Sequence, residues 1–216
     1  MLLWLLFLAA SVRIPLGLDL YMPVPEYNPM TQEKVALGRR LFFDRRLSRD
    51  GRVACSSCHD PYRAFSDGLV VTVGVFGREG RRNASALINR GYGRAFFWDG
   101  RVSTLEEQVL KPIQDPNEMD MTLPEAADRV GLPAGEISRV LASYVRSILS
   151  GDSPFDRFVN GDRGALSAEQ QAGLQLFRER RTASPAMSAQ TLLTSVSTTR
   201  ASRGTKGVFR TKVDSQ

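Results

Sequence analysis

Histidine and cysteine are scarce in this 216-residue chain, which contains one histidine and two cysteines. With a single histidine, an isolated chain cannot give one metal two imidazole ligands. With one cysteine pair, it cannot build the four-ligand site that structural zinc requires. Long patterned runs are also lacking. No alternating stretch is long enough to predict a sheet, and no apolar stretch is long enough to span a bilayer.

Nucleic-acid binding is not indicated, although the formal net charge is +6. Residues 182–216 hold five basic residues and one acidic residue, and so contribute +4 of that charge. The remaining body is nearly neutral and has no basic stripe with interleaved aromatic residues of the kind that follows a phosphate backbone. With 42% hydrophobic residues, the chain can still bury a core.

The N-terminal residues MLLWLLFLAA form an apolar run too short to cross a membrane but of the right length for the core of a secretory signal. No Lys or Arg precedes the run, so a buried N-terminal helix and a missed upstream start codon are the alternatives. We interpret residues 1–20 as a signal peptide or N-terminal apolar segment. No membrane span is expected after signal removal.

Helical patterns separated by Ser, Pro and Gly predict an all-α fold with long loops. Three pairs have the spacing of helix-capping boxes: Thr104 with Glu107, Thr122 with Glu125, and Ser167 with Gln170. The first helix is predicted to reach Leu110 and the last to reach about Phe177. Apolar residues from Ile137 to Ile148 predict an amphipathic helix that stops at Gly151.

Both cysteines and the single histidine lie in one pentapeptide, Cys55-Ser56-Ser57-Cys58-His59. Two thiols at this spacing can add to the vinyl groups of one porphyrin, and the following imidazole can then ligate the iron. A thioredoxin-like redox pair would need a βαβ setting, which is absent, and a disulfide is sterically awkward here. The motif therefore predicts one covalently bound haem c on Cys55, Cys58 and His59, with His59 as axial iron ligand.

Several further motifs occur in a fixed order around the pentapeptide. They are Leu37 to Asp44 (LGRRLFFD), Leu47-Ser48, Ala64 to Gly68 (AFSDG), Arg82-Asn83-Ala84, Phe97 to Arg101 (FWDGR), Leu105 to Gln108 (LEEQ) and Glu118-Met119. Together they resemble the N-terminal haem domain of the bacterial di-haem cytochrome c peroxidases, a family that includes the methylamine dehydrogenase maturation enzyme. The resemblance covers about residues 34–177 and implies a cytochrome c-like haem domain.

The resemblance implies roles for four residues outside the pentapeptide. Glu118 would be the acid/base that moves the peroxide proton, and Gln108 would orient the peroxide. Trp98 would relay electrons between haems, although a tryptophan in this context is ordinarily a core residue. Asn83 would lie near a calcium site. The implied reaction is reduction of hydrogen peroxide, in the periplasm, by electrons from a small cytochrome c or cupredoxin.

The sequence departs from the family at two points. Many members carry a histidine that caps the resting iron in the loop after the haem motif, and Val73 to Gly77 has none. A second CxxCH motif is also absent, so the second haem of the family cannot be bound and peroxidase activity is expected to be impaired. Two alternatives stay open: a mono-haem electron-transfer cytochrome with Met119 on the iron, and oxidation of a protein side chain.

The implied domain organisation is a haem domain over residues 31–165, the start of a truncated second haem domain over residues 166–181, and an unstructured tail over residues 182–216. The tail is rich in Ser and Thr and has no helical period. Gly173 to Phe177 (GLQLF) resembles the opening of the family's second domain, which a CxxCH motif should follow.

We predict that the tail is read out of frame. Codons permitted for Thr182 to Thr194, read from their third base, can encode C-I-A-C-H-V-G-P-N-F-T-D, which contains the missing motif. Sequencing the gene tests this prediction. Codons incompatible with that shifted reading would instead indicate a natural mono-haem variant with a basic tail.

Overall fold

A computed structural model describes residues 12–182, with side chains placed as far as Glu179. The predicted signal segment therefore lies largely outside the described residues, and the tail prediction lies almost wholly outside them. The described helices are α1 (Gln32–Phe42), α2 (Cys55–Cys58), α3 (Leu105–Gln108), α4 (Lys111–Gln114), α5 (Leu123–Val130), α6 (Ala134–Ser147), α7 (Pro154–Val159) and α8 (Ala168–Thr182).

The all-α prediction is confirmed for residues 12–182. Extended pairing there is limited to three isolated bridges, Asp60 with Ser66, Val73 with Glu79, and Phe96 with Val102. Short 3-10 turns interrupt the long loops at Arg45–Leu47, Pro61–Arg63, Val75–Gly77 and Arg90–Tyr92. No helix within the described range is long and apolar enough to cross a membrane.

Helix α1 packs against α6, and this pair forms the centre of the core. Gly38 makes the close approach possible, because a Cβ atom there would collide with the Val140 carbonyl. Next to this contact the Phe42 ring lies 5.0 Å from the Tyr144 ring. The apolar face of α6 is buried as its helical spacing predicts, with Ile137, Val140, Leu141 and Val145 inside.

The predicted helix caps are largely confirmed. Thr122 and Glu125 form a reciprocal capping box at the start of α5, and Ser167 and Gln170 cap α8 in the same way. Thr104 accepts the Glu107 amide at the start of α3.

The predicted ends of three helices were wrong. Helix α3 stops at Gln108 instead of Leu110, and α8 continues to Thr182, past Phe177. Helix α6 ends at Ser147, before Gly151, because Asn89 from a distant loop binds the chain that follows. The backbone amide of Asn89 donates to the Ile148 carbonyl at 2.9 Å. The Asn89 side chain donates to the Ser150 carbonyl through Nδ2 and accepts the Ser150 amide through Oδ1.

A buried ion pair joins α3 to α6. Arg146 donates to both carboxylate oxygens of Glu106, at 2.6 and 2.9 Å, and both side chains are more than nine-tenths buried. The fully buried Asn28 donates to the same carboxylate at 2.7 Å. Removing one member of such a buried pair costs about 3–5 kcal/mol, because it leaves the other charge uncompensated.

Gly38→Ala should lower the free energy of unfolding by about 1–3 kcal/mol, because α1 and α6 must move apart to admit the methyl group. Denaturant unfolding measures the change. Gly173→Ala is the matched control, since nothing lies near its Cβ position in α8, and it should leave stability unchanged or raise it by up to about 1 kcal/mol. Equal stability of wild type and Gly38→Ala would contradict the assigned contact.

Candidate functional site

The two thiols are presented by α2, a single helical turn. Ser57 caps the start of this turn, because its hydroxyl accepts a hydrogen bond from the Ala54 backbone amide at 3.0 Å. Cys55 and Cys58 are three positions apart, so they lie on one face of the turn. Both line the same cavity, and neither is in a disulfide.

His59 follows directly and is oriented by the next loop. Its Nδ1 lies 2.9 Å from the Phe65 carbonyl oxygen, which can only accept, so Nδ1 carries the hydrogen. Ala64 and Phe65 both adopt left-handed backbone conformations, with φ of 55° and 56°, and this turns the carbonyl back toward the imidazole. Burial lowers the pKa of His59, which favours the neutral ring. Nε2 is thereby left as the unprotonated nitrogen, the form that binds a metal.

Both thiols are held in the protonated form by their surroundings. Burial raises the pKa of Cys55 to about 12, and the neighbouring Cys58 adds to the effect. Burial likewise raises the pKa of Cys58 to about 11. Reactive redox cysteines have lowered thiol pKa values, so the thioredoxin-like interpretation loses support.

The cavity beside these residues has two connected compartments. An apolar compartment of about 70 Å³ reaches into the core. A wider cleft of about 530 Å³ opens from it toward the surface. The residues that line both are Cys58, His59, Thr72, Leu87, Gln108, Pro112 and Glu118. The larger volume lies within the roughly 300–1,000 Å³ typical of ligand sites.

Glu118 lies at this cavity on a tight turn, and is not the solvated loop carboxylate that its sequence context alone suggests. Its amide donates to the Asp115 carbonyl at 3.0 Å, and its own carbonyl accepts the Val75 amide at 2.9 Å. Burial raises the pKa of Glu118 to about 7; the charge of Asp115 adds to the rise, and that of Arg101 opposes it. A carboxyl group with this pKa can both accept and release a proton near neutral pH.

The structure also brings the other predicted residues to the cavity. Gln108 is half-buried at the end of α3 and lines both compartments. Met119 is buried in the core and lines only the apolar compartment. Trp98 and Asn83 line the wider cleft, where the Trp98 indole donates to the Asn83 carbonyl at 3.1 Å.

Trp98 is 53% exposed, so it is not part of the described core. The neighbouring Asp99 carboxylate forms salt bridges with Arg101 at 2.9 Å and with Arg82 at 3.5 Å, and these fix the loop that carries Trp98. The side chain is therefore presented at the rim of the cleft. Among the described residues, no group of three or more His, Cys, Asp or Glu side chains could hold a metal ion, and the calcium prediction at Asn83 remains untested.

Sequence reasoning overlooked the arginines of the cleft. Arg81, Arg82, Arg90 and Arg101 line the wider compartment together with Asp99, Asp115 and Glu118, and Arg82 and Arg101 pair with Asp99. Their only signal in the sequence is proximity to the Arg82-Asn83-Ala84 and FWDGR motifs. Arginine is suited to binding carboxylates because its donors match two oxygens at once. A ligand with carboxylate groups, such as the propionates of haem, is complementary to this surface.

A second overlooked residue is Asp67, which is 9% exposed. Its Oδ1 accepts the Leu69 amide at 3.0 Å, while the buried Oδ2 has no hydrogen-bond partner among the described residues. Its negative charge raises the pKa of Cys58 and opposes the lowering of the His59 pKa. An unpartnered buried carboxylate oxygen is costly, so its presence beside the histidine indicates a site that a bound group completes.

Comparison with known proteins identifies the family. A family model described as di-haem cytochrome c peroxidase matches residues 32–164. The methylamine utilization protein MauG of Methylorubrum extorquens is 38% identical over 174 residues, which cover 72% of this chain and 49% of that protein. The cytochrome-c peroxidase IdrP1 of a Pseudomonas species is 39% identical over 175 residues, covering 72% of this chain and 46% of that protein.

A solved structure agrees with these matches. A MauG-like protein associated with microbial copper homeostasis superimposes with a TM-score of 0.64 at 37% identity, over 74% of this chain and 50% of that one. The helical fold, with a thiol-bearing turn and a histidine at an apolar cavity, is that of a cytochrome c-like haem domain. The chain belongs to the di-haem cytochrome c peroxidase family. It spans about half the length of the relatives it matches.

Proposed function

We propose that this chain binds one haem c through Cys55 and Cys58, with His59 as its axial ligand, and that the cavity is a peroxide-reducing site. The observation that carries the proposal is the orientation of His59, whose Nδ1 lies 2.9 Å from the Phe65 carbonyl oxygen at a cavity lined by both thiols. The apolar inner lining suits the porphyrin faces. The arginines of the wider cleft suit its propionates.

The haem, when bound, supplies the redox-active iron at which peroxide is reduced. Glu118 would take the proton from the peroxide oxygen that faces the iron and return it to the leaving oxygen. Its pKa of about 7 suits both steps, because the carboxyl group can accept and release a proton near neutral pH. The Gln108 side chain can hydrogen-bond the peroxide from the same cavity. The proposal gives Trp98 the role of electron relay, and its exposure of 53% at the rim of the cleft supports that role.

The remaining parts of the proposal follow from the family. The electron donor is a small cytochrome c or cupredoxin, the location is the periplasm, and calcium near Asn83 is an accessory ion. Residues 31–165 form the haem domain and residues 166–181 begin a second one. In support of that boundary, Leu176 on α8 is 58% exposed. With one CxxCH motif in the chain, peroxide turnover depends on electrons delivered directly to this haem.

A mono-haem electron-transfer cytochrome is the second candidate, because Met119 lines the apolar compartment and a thioether is a known axial ligand. The ferric absorption spectrum separates the two functions. An open or water-ligated iron is largely high-spin and binds cyanide or azide without prior reduction, whereas a His/Met iron is low-spin. A low-spin spectrum that Met119→Leu converts to high-spin would establish the second candidate.

Covalent haem attachment is tested by replacing both thiols. Acid–acetone extraction of the denatured wild-type protein should leave the haem on the chain at a ratio of about one per chain. Cys55→Ala combined with Cys58→Ala should release it. Ser56→Ala and Ser57→Ala are controls within the same turn and should retain the haem. Complete release from the wild type would overturn the assignment.

Replacement of Glu118 tests the peroxide chemistry. Glu118→Gln should slow the reaction of the ferric haem with peroxide by about a hundredfold or more, the usual scale for loss of a general acid/base. Because the carboxylate form must take the proton, the wild-type rate should rise with pH through about 7. Stopped-flow absorbance measures both effects. Glu79→Gln, an exposed loop carboxylate, is the control. An unchanged rate in Glu118→Gln would remove this residue from the reaction.

A further inference from the structure

The turn that carries Glu118 is bound to the loop at residues 74–78. Gly74 packs so closely on this turn that a Cβ atom there would collide with the Asn117 carbonyl. The next amide along the loop, that of Val75, donates to the Glu118 carbonyl at 2.9 Å. The two segments therefore meet backbone to backbone directly beside the carboxylate.

Arg78 joins the two segments through its side chain. Its Nη1 donates to the Pro116 carbonyl at 2.7 Å and to Asp120 Oδ2 at 3.1 Å. These acceptors lie on either side of Glu118 in the chain, so one nitrogen holds both ends of the turn. The Arg78 backbone is fixed as well, because its carbonyl accepts the Gly74 amide at 2.8 Å.

A second arginine fixes the turn from the other side. The Arg49 amide donates to the Met119 carbonyl at 2.9 Å, and its guanidinium donates to the Asp120 carbonyl. Arg49 is also bound to Glu125 of α5 at 3.1 Å, which anchors it to a helix. The loop at residues 74–78 meets this turn through Gly74 and the Val75 amide, and Arg78 adds the side-chain contact between the two segments.

We propose that Arg78 is a positioning residue, which fixes the Glu118 carboxylate in the cavity by tying its turn to the loop at residues 74–78. The proposal rests on the proposed role of Glu118 in the peroxide reaction. Arg78 lines neither compartment of the cavity, so it acts through the turn that carries Glu118. A displacement of about 1 Å in a reacting group can slow catalysis by about a hundredfold. Loss of this restraint should therefore slow the reaction without changing its chemistry.

The restraint itself is tested by amide hydrogen exchange, which needs no catalytic readout. In Arg78→Met, peptides covering residues 112–121 should exchange at least about fivefold faster than in the wild type, because the turn loses the two side-chain hydrogen bonds that Arg78 donates to it. Arg78→Lys should restore slow exchange, since a single nitrogen makes both contacts. Arg40→Met is the matched control: Arg40 is exposed on α1, far along the chain from this turn. Unchanged exchange in Arg78→Met would overturn the proposal.

The functional consequence is tested with the haem-loaded chain. Arg78→Met should slow the peroxide reaction about tenfold or more at unchanged haem content and unfolding midpoint, and Arg78→Lys should recover most of the rate. The double variant with Glu118→Gln should be no slower than Glu118→Gln alone, because Arg78 acts through that carboxylate. If Glu118→Gln is slow and Arg78→Met is not, the positioning role is overturned and the proposed function stands. If Glu118→Gln is itself unimpaired, the proposed function fails, while the exchange result still decides whether Arg78 restrains the turn.

Discussion

The contact between α1 and α6 at Gly38 is the constraint on which the rest of the structure depends. Because the two helix backbones approach so closely there, Phe42 at the end of α1 is held against Tyr144 of α6. The opposite side of the Phe42 ring faces Phe65 at 6.1 Å and His59 at 6.5 Å, measured between ring centroids. The helix pair thus lines the inner end of the cavity, through Phe42 of α1 and Leu141 and Val145 of α6, and the long loops pack against it.

Arginine side chains donate many of the hydrogen bonds that backbone carbonyl groups accept in this fold. A loop-rich fold leaves many carbonyl groups without a regular partner, and these must be satisfied when they are partly buried. Guanidinium groups suit this role because they have several donors and no acceptor. The carbonyls bonded in this way include those of Ser48, Asp67, Ala95, Pro116, Asp120 and Arg129. These arginines therefore have a structural role, which agrees with the absence of a phosphate-binding pattern in the sequence.

The features that could be predicted from the sequence are those set by neighbouring residues. The all-α class, the caps at Thr122 and Ser167, and the buried face of α6 all depend on local spacing. Features that arise between distant segments could not be read in this way. The end of α6 is set by Asn89, and the burial of Glu118 by the loop at Gly74. The site residues themselves were found through the order of motifs, because neither Gln108 nor Glu118 has a local pattern that distinguishes it from a surface residue.

The buried group of Asn28, Glu106 and Arg146 has a consequence for how sequences of this fold can diverge. The three side chains come from the segment before α1, from α3 and from α6. They are far apart in the sequence, so a single local change cannot replace all three at once. Replacing Glu106 or Arg146 alone leaves the other buried charge without its partner, at a cost that is a large fraction of the stability of a typical domain. Single-step paths through such intermediates are disfavoured. The three positions should therefore covary among relatives, changing as a set or not at all.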